Sequence, residues 1–150
     1  MEPRATNLRT IQILYGSLMT GVIFFAFTAT LIVYTSGAMA SAEQMDSAFL
    51  TISFLSLLTI PAGNLIFRKK VEGIEQIPKA KKMETYQAAM IIRAAIFEGS
   101  AFLSIIGFMM TGSLYVLVPA FIVLAVMGYY FPTRSRIAGE LGISESDLDH

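Results

Sequence analysis

The chain has 150 residues, of which 55% are hydrophobic and only 15% charged, so it is too apolar for an ordinary soluble domain of this size. Its 11 basic and 11 acidic residues give a formal net charge of zero, and no overall field favours a nucleic-acid partner. The chain has no cysteine, and its one histidine is the last residue, His150. This composition excludes disulfides and thiolate metal sites and argues against haem, zinc and histidine-based catalysis. We therefore expect no metal, no cofactor and no enzymatic activity.

Four apolar segments are long enough to cross a bilayer, which takes about 20 residues as a helix. They lie near residues 12–34, 47–67, 86–110 and 113–131, and a short polar tail follows at 132–150. The runs are continuous rather than alternating, which favours helices over a transmembrane barrel. The sequence predicts an all-α integral membrane protein, with one four-helix transmembrane bundle spanning residues 1–150. A short helix is expected in the tail, from about Ser135 to Leu141.

Basic residues are confined to the N-terminal arm, the loop between the second and third segments and the tail, apart from Arg93. The other two loops, at 35–46 and 111–112, contain no lysine or arginine. By the positive-inside rule, both termini and the middle loop are predicted to be cytoplasmic. The expected location is a membrane crossed several times, most simply the bacterial inner membrane.

Small residues predict a close contact between the first and third helices. Pairs of small residues four positions apart let helix backbones approach closely in lipid. These residues are Gly16, Ser17, Thr20 and Gly21 on the first helix and Ala95 and Gly99 on the third.

The second helix contains a proline near its basic end. Pro61 removes one backbone hydrogen bond, which predicts a kink in the cytoplasmic third of the helix. Asn64 follows it and is expected to cap or bridge the loosened turn. An interfacial kink without function is the simpler interpretation of both residues.

Two charged residues, Arg93 and Glu98, lie inside the third apolar segment. Ionised groups at this depth are costly and mark candidate functional sites. Their spacing of five places them on different faces of a helix, so a direct ion pair within the helix is not expected. Arg93 can either find a partner or extend toward the cytoplasmic headgroups. Glu98 is near mid-membrane and too short to escape, so it is expected to be neutral, paired or functional.

Other polar residues are candidate partners of these charges in ion or proton movement or in partner binding. Gln87 lies on the face of Glu98, while Gln12, Tyr15 and Thr20 of the first helix could donate hydrogen bonds across the bundle. Arg93 instead shares a side of its helix with a separate set of residues. That set is Tyr86, Met90, Phe97 and Ser100.

Glu98 beside small residues, in a layout of two helical hairpins, resembles the rotor subunits of rotary ATPases. That resemblance implies an ion-carrying carboxylate. The chain departs from the family because it lacks dense glycine repeats and carries its glutamate on the first helix of the hairpin. The family function is therefore not carried over.

Three functions remain open from the sequence. The favoured one is an accessory or structural subunit that self-associates or binds a larger membrane complex, because the loops are short and no catalytic group of residues is present. The first alternative is a small proton or cation transporter or channel subunit that uses Glu98. The second is a membrane-embedded enzyme acting on lipids or quinones.

Overall fold

The computed structural model describes residues 8–39 and 47–145, and every regular element within them is helical, as predicted. Most of the N-terminal arm, including its basic residue Arg4, and the end of the tail after residue 145 lie outside this part of the chain. Short 3-10 turns at Ser56–Leu58 and Ile74–Gln76 connect some of the helices. The helices are α1 (Leu8–Thr35), α2 (Ser47–Leu55), α3 (Thr59–Val71), α4 (Lys79–Thr111), α5 (Leu114–Tyr129) and α6 (Arg134–Leu141).

Three segments are long and apolar enough to cross a membrane: Leu8–Thr35, Ser47–Gln76 and Lys81–Thr111. Helix α5 has 16 residues, about 24 Å, and counts as a fourth candidate only together with α6, which is bent from it by 73°. The outward surfaces of these helices carry many large exposed apolar side chains. Examples are Phe24 (70% exposed), Leu58 (64%) and Met110 (68%). Surfaces of this kind are typical of proteins that contact lipid.

Helix α4 is the centre of the fold, because α1, the α2–α3 segment and α5 all pack against it. Its inner face is formed by residues spaced three or four apart, so that they lie on one side of the helix. This face is almost completely buried. Its members are Tyr86, Met90, Arg93, Phe97, Ser100, Ser104 and Phe108.

The second apolar segment is interrupted before its proline rather than at it. The 3-10 turn at Ser56–Leu58 separates α2 from α3, and Pro61 lies in the first turn of α3, where a missing N–H is tolerated. The break is therefore one turn earlier than the predicted kink. The carbonyl of Ser56 accepts hydrogen bonds from the hydroxyls of Thr59 (2.7 Å) and Ser100 (3.0 Å), which holds the interrupted turn against α4.

The connection between α4 and α5 is a tight turn at Gly112. This glycine has a left-handed backbone (φ 67°), and its N–H donates to the carbonyl of Phe108 at 2.7 Å. That conformation ends α4 in the way glycine commonly ends helices. At the other end of α5, Thr133 caps α6 by accepting from the N–H of Arg136, and Gly142 ends it with φ 63°. The predicted tail helix is confirmed.

Two glycines allow close helix contacts, and they are not the ones that the spacing of small residues singled out. A Cβ on Gly63 would lie 2.8 Å from the Phe97 ring, and one on Gly107 would lie 2.9 Å from Cγ1 of Val116. Gly16 and Gly99 instead have no neighbouring atom within 4 Å of the position their Cβ would take. At these glycines the closest approaches of α4 are to α3 and α5, whereas the predicted packing of α1 against α4 is present with a looser contact at Gly21, whose Cβ would lie 3.7 Å from Oε1 of Glu98.

We expect Gly107→Ala to destabilise the fold by about 1–3 kcal/mol, because the added methyl would overpack against the fully buried Val116. The matched control is Gly99→Ala on the same helix, which meets open space and should be neutral or stabilising by up to about 1 kcal/mol. Thermal unfolding in detergent micelles measures both. Equal melting temperatures for the two variants would contradict the packing described here.

Candidate functional site

The Arg93 side chain is enclosed by protein rather than extended to the membrane surface. It is 2% exposed, although it is among the largest side chains of the core. Its guanidinium carbon lies 3.9 Å from the centroid of the Phe67 ring and 4.4 Å from that of the Tyr130 ring. Nη2 donates to the Met90 sulfur at 2.8 Å. We call Arg93 with Phe67, Met90 and Tyr130 the Arg93 cage.

The cage stabilises a cation by polarisable groups. Aromatic faces carry partial negative charge, and a guanidinium lying over them is attracted by about 1–2 kcal/mol when water is excluded. Of the two alternatives that the sequence left open for Arg93, the structure shows the one in which it has partners and does not extend toward the headgroups. Because Phe67 belongs to α3, Met90 and Arg93 to α4 and Tyr130 to the end of α5, the cage fixes α3 and the end of α5 against α4.

A hydrogen bond links the cage to α6. The hydroxyl of Tyr86 donates to Oε2 of Glu140 at 2.7 Å, and the Tyr86 ring packs edge-on against Phe67 with centroids 5.7 Å apart. Glu140 also interacts electrostatically with Arg93. The negative charge that complements Arg93 thus comes from α6, outside the apolar part of α4.

Asn64 joins the cage from the third helical segment. Its Nδ2 donates to the hydroxyl of Tyr130 at 3.0 Å, which orients the ring that lies over Arg93. Two buried polar atoms in this region, Oδ1 of Asn64 and Nε of Arg93, have no hydrogen-bond partner among the described residues. The predicted role of Asn64 near Pro61 is therefore replaced by a contact with α5.

Glu98 lies near the middle of the Lys81–Thr111 segment and faces α1. It is half-buried, and its Oε1 is 3.7 Å from the position a Cβ on Gly21 would take. One turn farther along, the rings of Phe25 and Phe102 pack edge-to-face at 5.2 Å. Within residues 8–39 and 47–145, no hydrogen bond or ion pair reaches the Glu98 carboxyl. Its partial burial is therefore not matched by any hydrogen bond from these residues.

The polar residues of α1 that were expected to reach Glu98 are engaged elsewhere. Gln12 donates to the carbonyl of Pro132 at 3.0 Å, and the hydroxyl of Tyr15 donates to that of Met127 at 2.9 Å. Thr20 and Ser17 bond to carbonyls one turn back on their own helix. The bonds of Gln12 and Tyr15 tie the start of α1 to the end of α5 and the residues that follow it. Gln12, Tyr15 and Thr20 are therefore not hydrogen-bond partners of the half-buried Gln87 and Glu98.

One side of α4 remains uncovered by the other helices. We call it the α4 outer face, and it adjoins Glu98. Its six members follow one another three or four residues apart, all are exposed, and three are small and three are large and apolar. The face consists of Ala88, Ile91, Ala95, Gly99, Leu103 and Ile106.

The two charged side chains in the apolar part of α4, Arg93 and Glu98, therefore have different surroundings. Arg93 is surrounded by rings and fulfils a structural role, whereas Glu98 borders an uncovered face. No cluster of three or more His, Cys, Asp or Glu side chains suited to a metal ion occurs among the described residues. Sequence reasoning identified the residues that share a helix side with Arg93 but missed Phe67, Tyr130 and Glu140, because only the tertiary fold brings them together.

We expect Arg93→Lys to destabilise the protein by about 1–2 kcal/mol, because a compact ammonium loses the stacking of a planar guanidinium on two rings. Arg136→Lys is the matched control. Its guanidinium lies farther from its rings, at 4.9 Å from Tyr129 and 5.6 Å from Tyr130, and the side chain is only half-buried. Thermal unfolding in micelles should show the larger loss for Arg93→Lys. A larger loss for the control would show that the cage does not stabilise the fold.

Comparisons with protein-family models, with curated proteins and with solved structures find no match to this chain.

Proposed function

We propose that this chain is a multi-pass membrane protein that acts as a non-catalytic subunit of a larger membrane assembly. In this proposal the α4 outer face receives a transmembrane helix of the partner, and Glu98 accepts a hydrogen bond from it. The observation that carries the proposal is the half-buried carboxyl of Glu98, which has no polar partner among the described residues and borders an exposed apolar face with small residues at its centre.

The proposed arrangement has four crossings, with both termini and the basic loop in the cytoplasm, as in the bacterial inner membrane. The contacts of Gln12 with Pro132 and of Phe67 with Tyr86 support it, because they gather the basic segments at one end of the molecule. Exposed tyrosines near both ends of the helices also fit an aromatic belt, with Tyr34 and Tyr115 at one end and Tyr129 at the other. The short α5 fits a locally thinner bilayer.

The physical basis of the contact is the poor solvation of Glu98 in lipid. A carboxyl at mid-membrane without a partner costs on the order of 3 kcal/mol, and a donor on a neighbouring helix would remove much of that cost. Ala95 and Gly99 add little bulk, so a second helix can approach the backbone of α4 closely. A partner with a hydrogen-bond donor or cation fits better than a second copy, because two copies would bring two carboxyls together.

We expect Gly99→Trp to disrupt the assembly without unfolding the chain, because the new side chain would occupy the α4 outer face and meets open space in the isolated protein. The control is Ile13→Trp, at a 60% exposed position elsewhere on the lipid-facing surface. Native electrophoresis of membranes extracted in mild detergent compares the size of the complex, and a photo-cross-linker at position 99 identifies the contacting chain.

Glu98→Leu provides a second test, in which assembly and the stability of the isolated chain should change in opposite directions. It should weaken the assembly while raising the melting temperature of the isolated chain, because a half-buried acid is replaced by an apolar side chain. An unchanged complex in both Gly99→Trp and Glu98→Leu would overturn the proposal. A cross-link to a second copy would identify the assembly as a homo-oligomer.

The alternative is a proton or cation carrier that uses Glu98, and the position of this carboxyl near mid-membrane is the observation that favours it. Reconstituted vesicles with a pH-sensitive dye test it directly. A carrier would lose flux by at least about tenfold in Glu98→Gln, because the amide does not titrate. Flux that equals that of empty vesicles, or that survives Glu98→Gln, would exclude this function.

A further inference from the structure

A polar cleft lies at the basic end of the fold, between the end of α3 and the first turns of α4. Its volume is about 350 Å³, within the size range of sites for small ligands. Neither Arg93 nor Glu98 contributes to it. The cleft is lined by Lys70 from α3 and by Lys81, Glu84, Thr85 and Ala88 from α4.

The lining combines two cations with a hydroxyl group. Lys70 and Lys81 come from different helices, are both exposed and line the same cleft, so that two positive charges flank it. Lysine is a common phosphate ligand in proteins, and the Thr85 hydroxyl supplies a further donor. The chemistry of this part of the cleft fits a phosphodiester.

The walls of the cleft continue into apolar surface toward the middle of the membrane. Ile66 lies one turn below Lys70 on the same face of α3 and is 38% exposed. On α4, Ile92 lies one turn below Ala88 and is half-buried. A ligand with a charged head between the lysines would therefore have its tail along apolar side chains. This arrangement favours a lipid over a free phosphate ion.

Glu84 adds a requirement for the rest of the headgroup. Its carboxylate is exposed at the cleft and accepts but does not donate hydrogen bonds when ionised. A headgroup with a hydroxyl beyond the phosphate can donate to it, whereas a second phosphate would be repelled. Phosphatidylglycerol has this combination of one phosphodiester and free hydroxyls.

We infer that this cleft is a binding site for an anionic phospholipid of the phosphatidylglycerol type, with its phosphate between Lys70 and Lys81. The inference rests on the proposed insertion of the basic end at an anionic leaflet, but not on the proposed subunit role. Basic pockets between helices at this level of a membrane are a known way of holding anionic headgroups.

Native mass spectrometry of the purified chain, titrated with phosphatidylglycerol in micelles, tests the site. The double variant Lys70→Gln/Lys81→Gln should lower the affinity for the lipid by about tenfold or more. The matched control is Lys69→Gln/Lys82→Gln, which removes the same charge from the adjacent residues outside the cleft and should retain most of the binding. Thr85→Val removes only the hydroxyl and should weaken binding severalfold, even if the double variant fails to fold.

Two further titrations distinguish the sources of the phosphate group. Phosphatidylcholine should bind at least about tenfold more weakly than phosphatidylglycerol, and inorganic phosphate should not raise the melting temperature. Equal losses in the two double variants would show that diffuse surface charge holds the lipid and would overturn the inference. Equal binding of the two lipids, or stabilisation by inorganic phosphate alone, would overturn it too. The assembly of Gly99→Trp is measured separately, so failure of either proposal is recognisable.

Discussion

The structure depends on the burial of one cation, the guanidinium of Arg93, on aromatic faces. A charge inside an apolar helix normally needs water or a carboxylate. Here two rings and a thioether surround it, and Glu140, the carboxylate that interacts with it electrostatically, accepts a hydrogen bond from Tyr86. Helices α3, α4 and α6 and the end of α5 all supply a part of this arrangement. The basic end of the molecule is therefore held together around a buried cation.

The two charged residues in the apolar part of α4, Arg93 and Glu98, illustrate what the sequence could predict. Their spacing of five separates them on the helix, and the structure places Arg93 toward the core and Glu98 toward the α1 side. The helix side that Arg93 shares with Tyr86 and Phe97 is also evident from the sequence. The partners Phe67 and Tyr130 are not, because nothing local relates the ends of α3 and α5 to the middle of α4.

The break in the second segment and the close contacts at glycine were also only partly predictable from the sequence. Pro61 correctly indicates that the second segment is not one regular helix, but the break lies at Ser56–Leu58, where the carbonyl of Ser56 also accepts a hydrogen bond from Ser100 of α4. The spacing of small residues singled out Gly99, which has no packed neighbour at its Cβ position. It did not single out Gly107, whose close packing is evident only from the position of Val116 on the next helix. Composition and hydropathy thus predict the helical class and the membrane-length segments, whereas close contacts require the packed neighbours.

The order of the chain gives the Arg93 cage a consequence for biogenesis. A ribosome produces Phe67 before Arg93, but Tyr130 and Glu140 only after it. If the chain is inserted into a membrane as proposed, α4 reaches the translocation machinery when Phe67 has been made, but before Tyr130 and Glu140 are available to Arg93. If α4 entered the lipid alone, the guanidinium of Arg93 would lack part of its cage. The hairpin of α4 and α5 is thus better suited to enter the lipid as a pair, with α6 closing the cation in last.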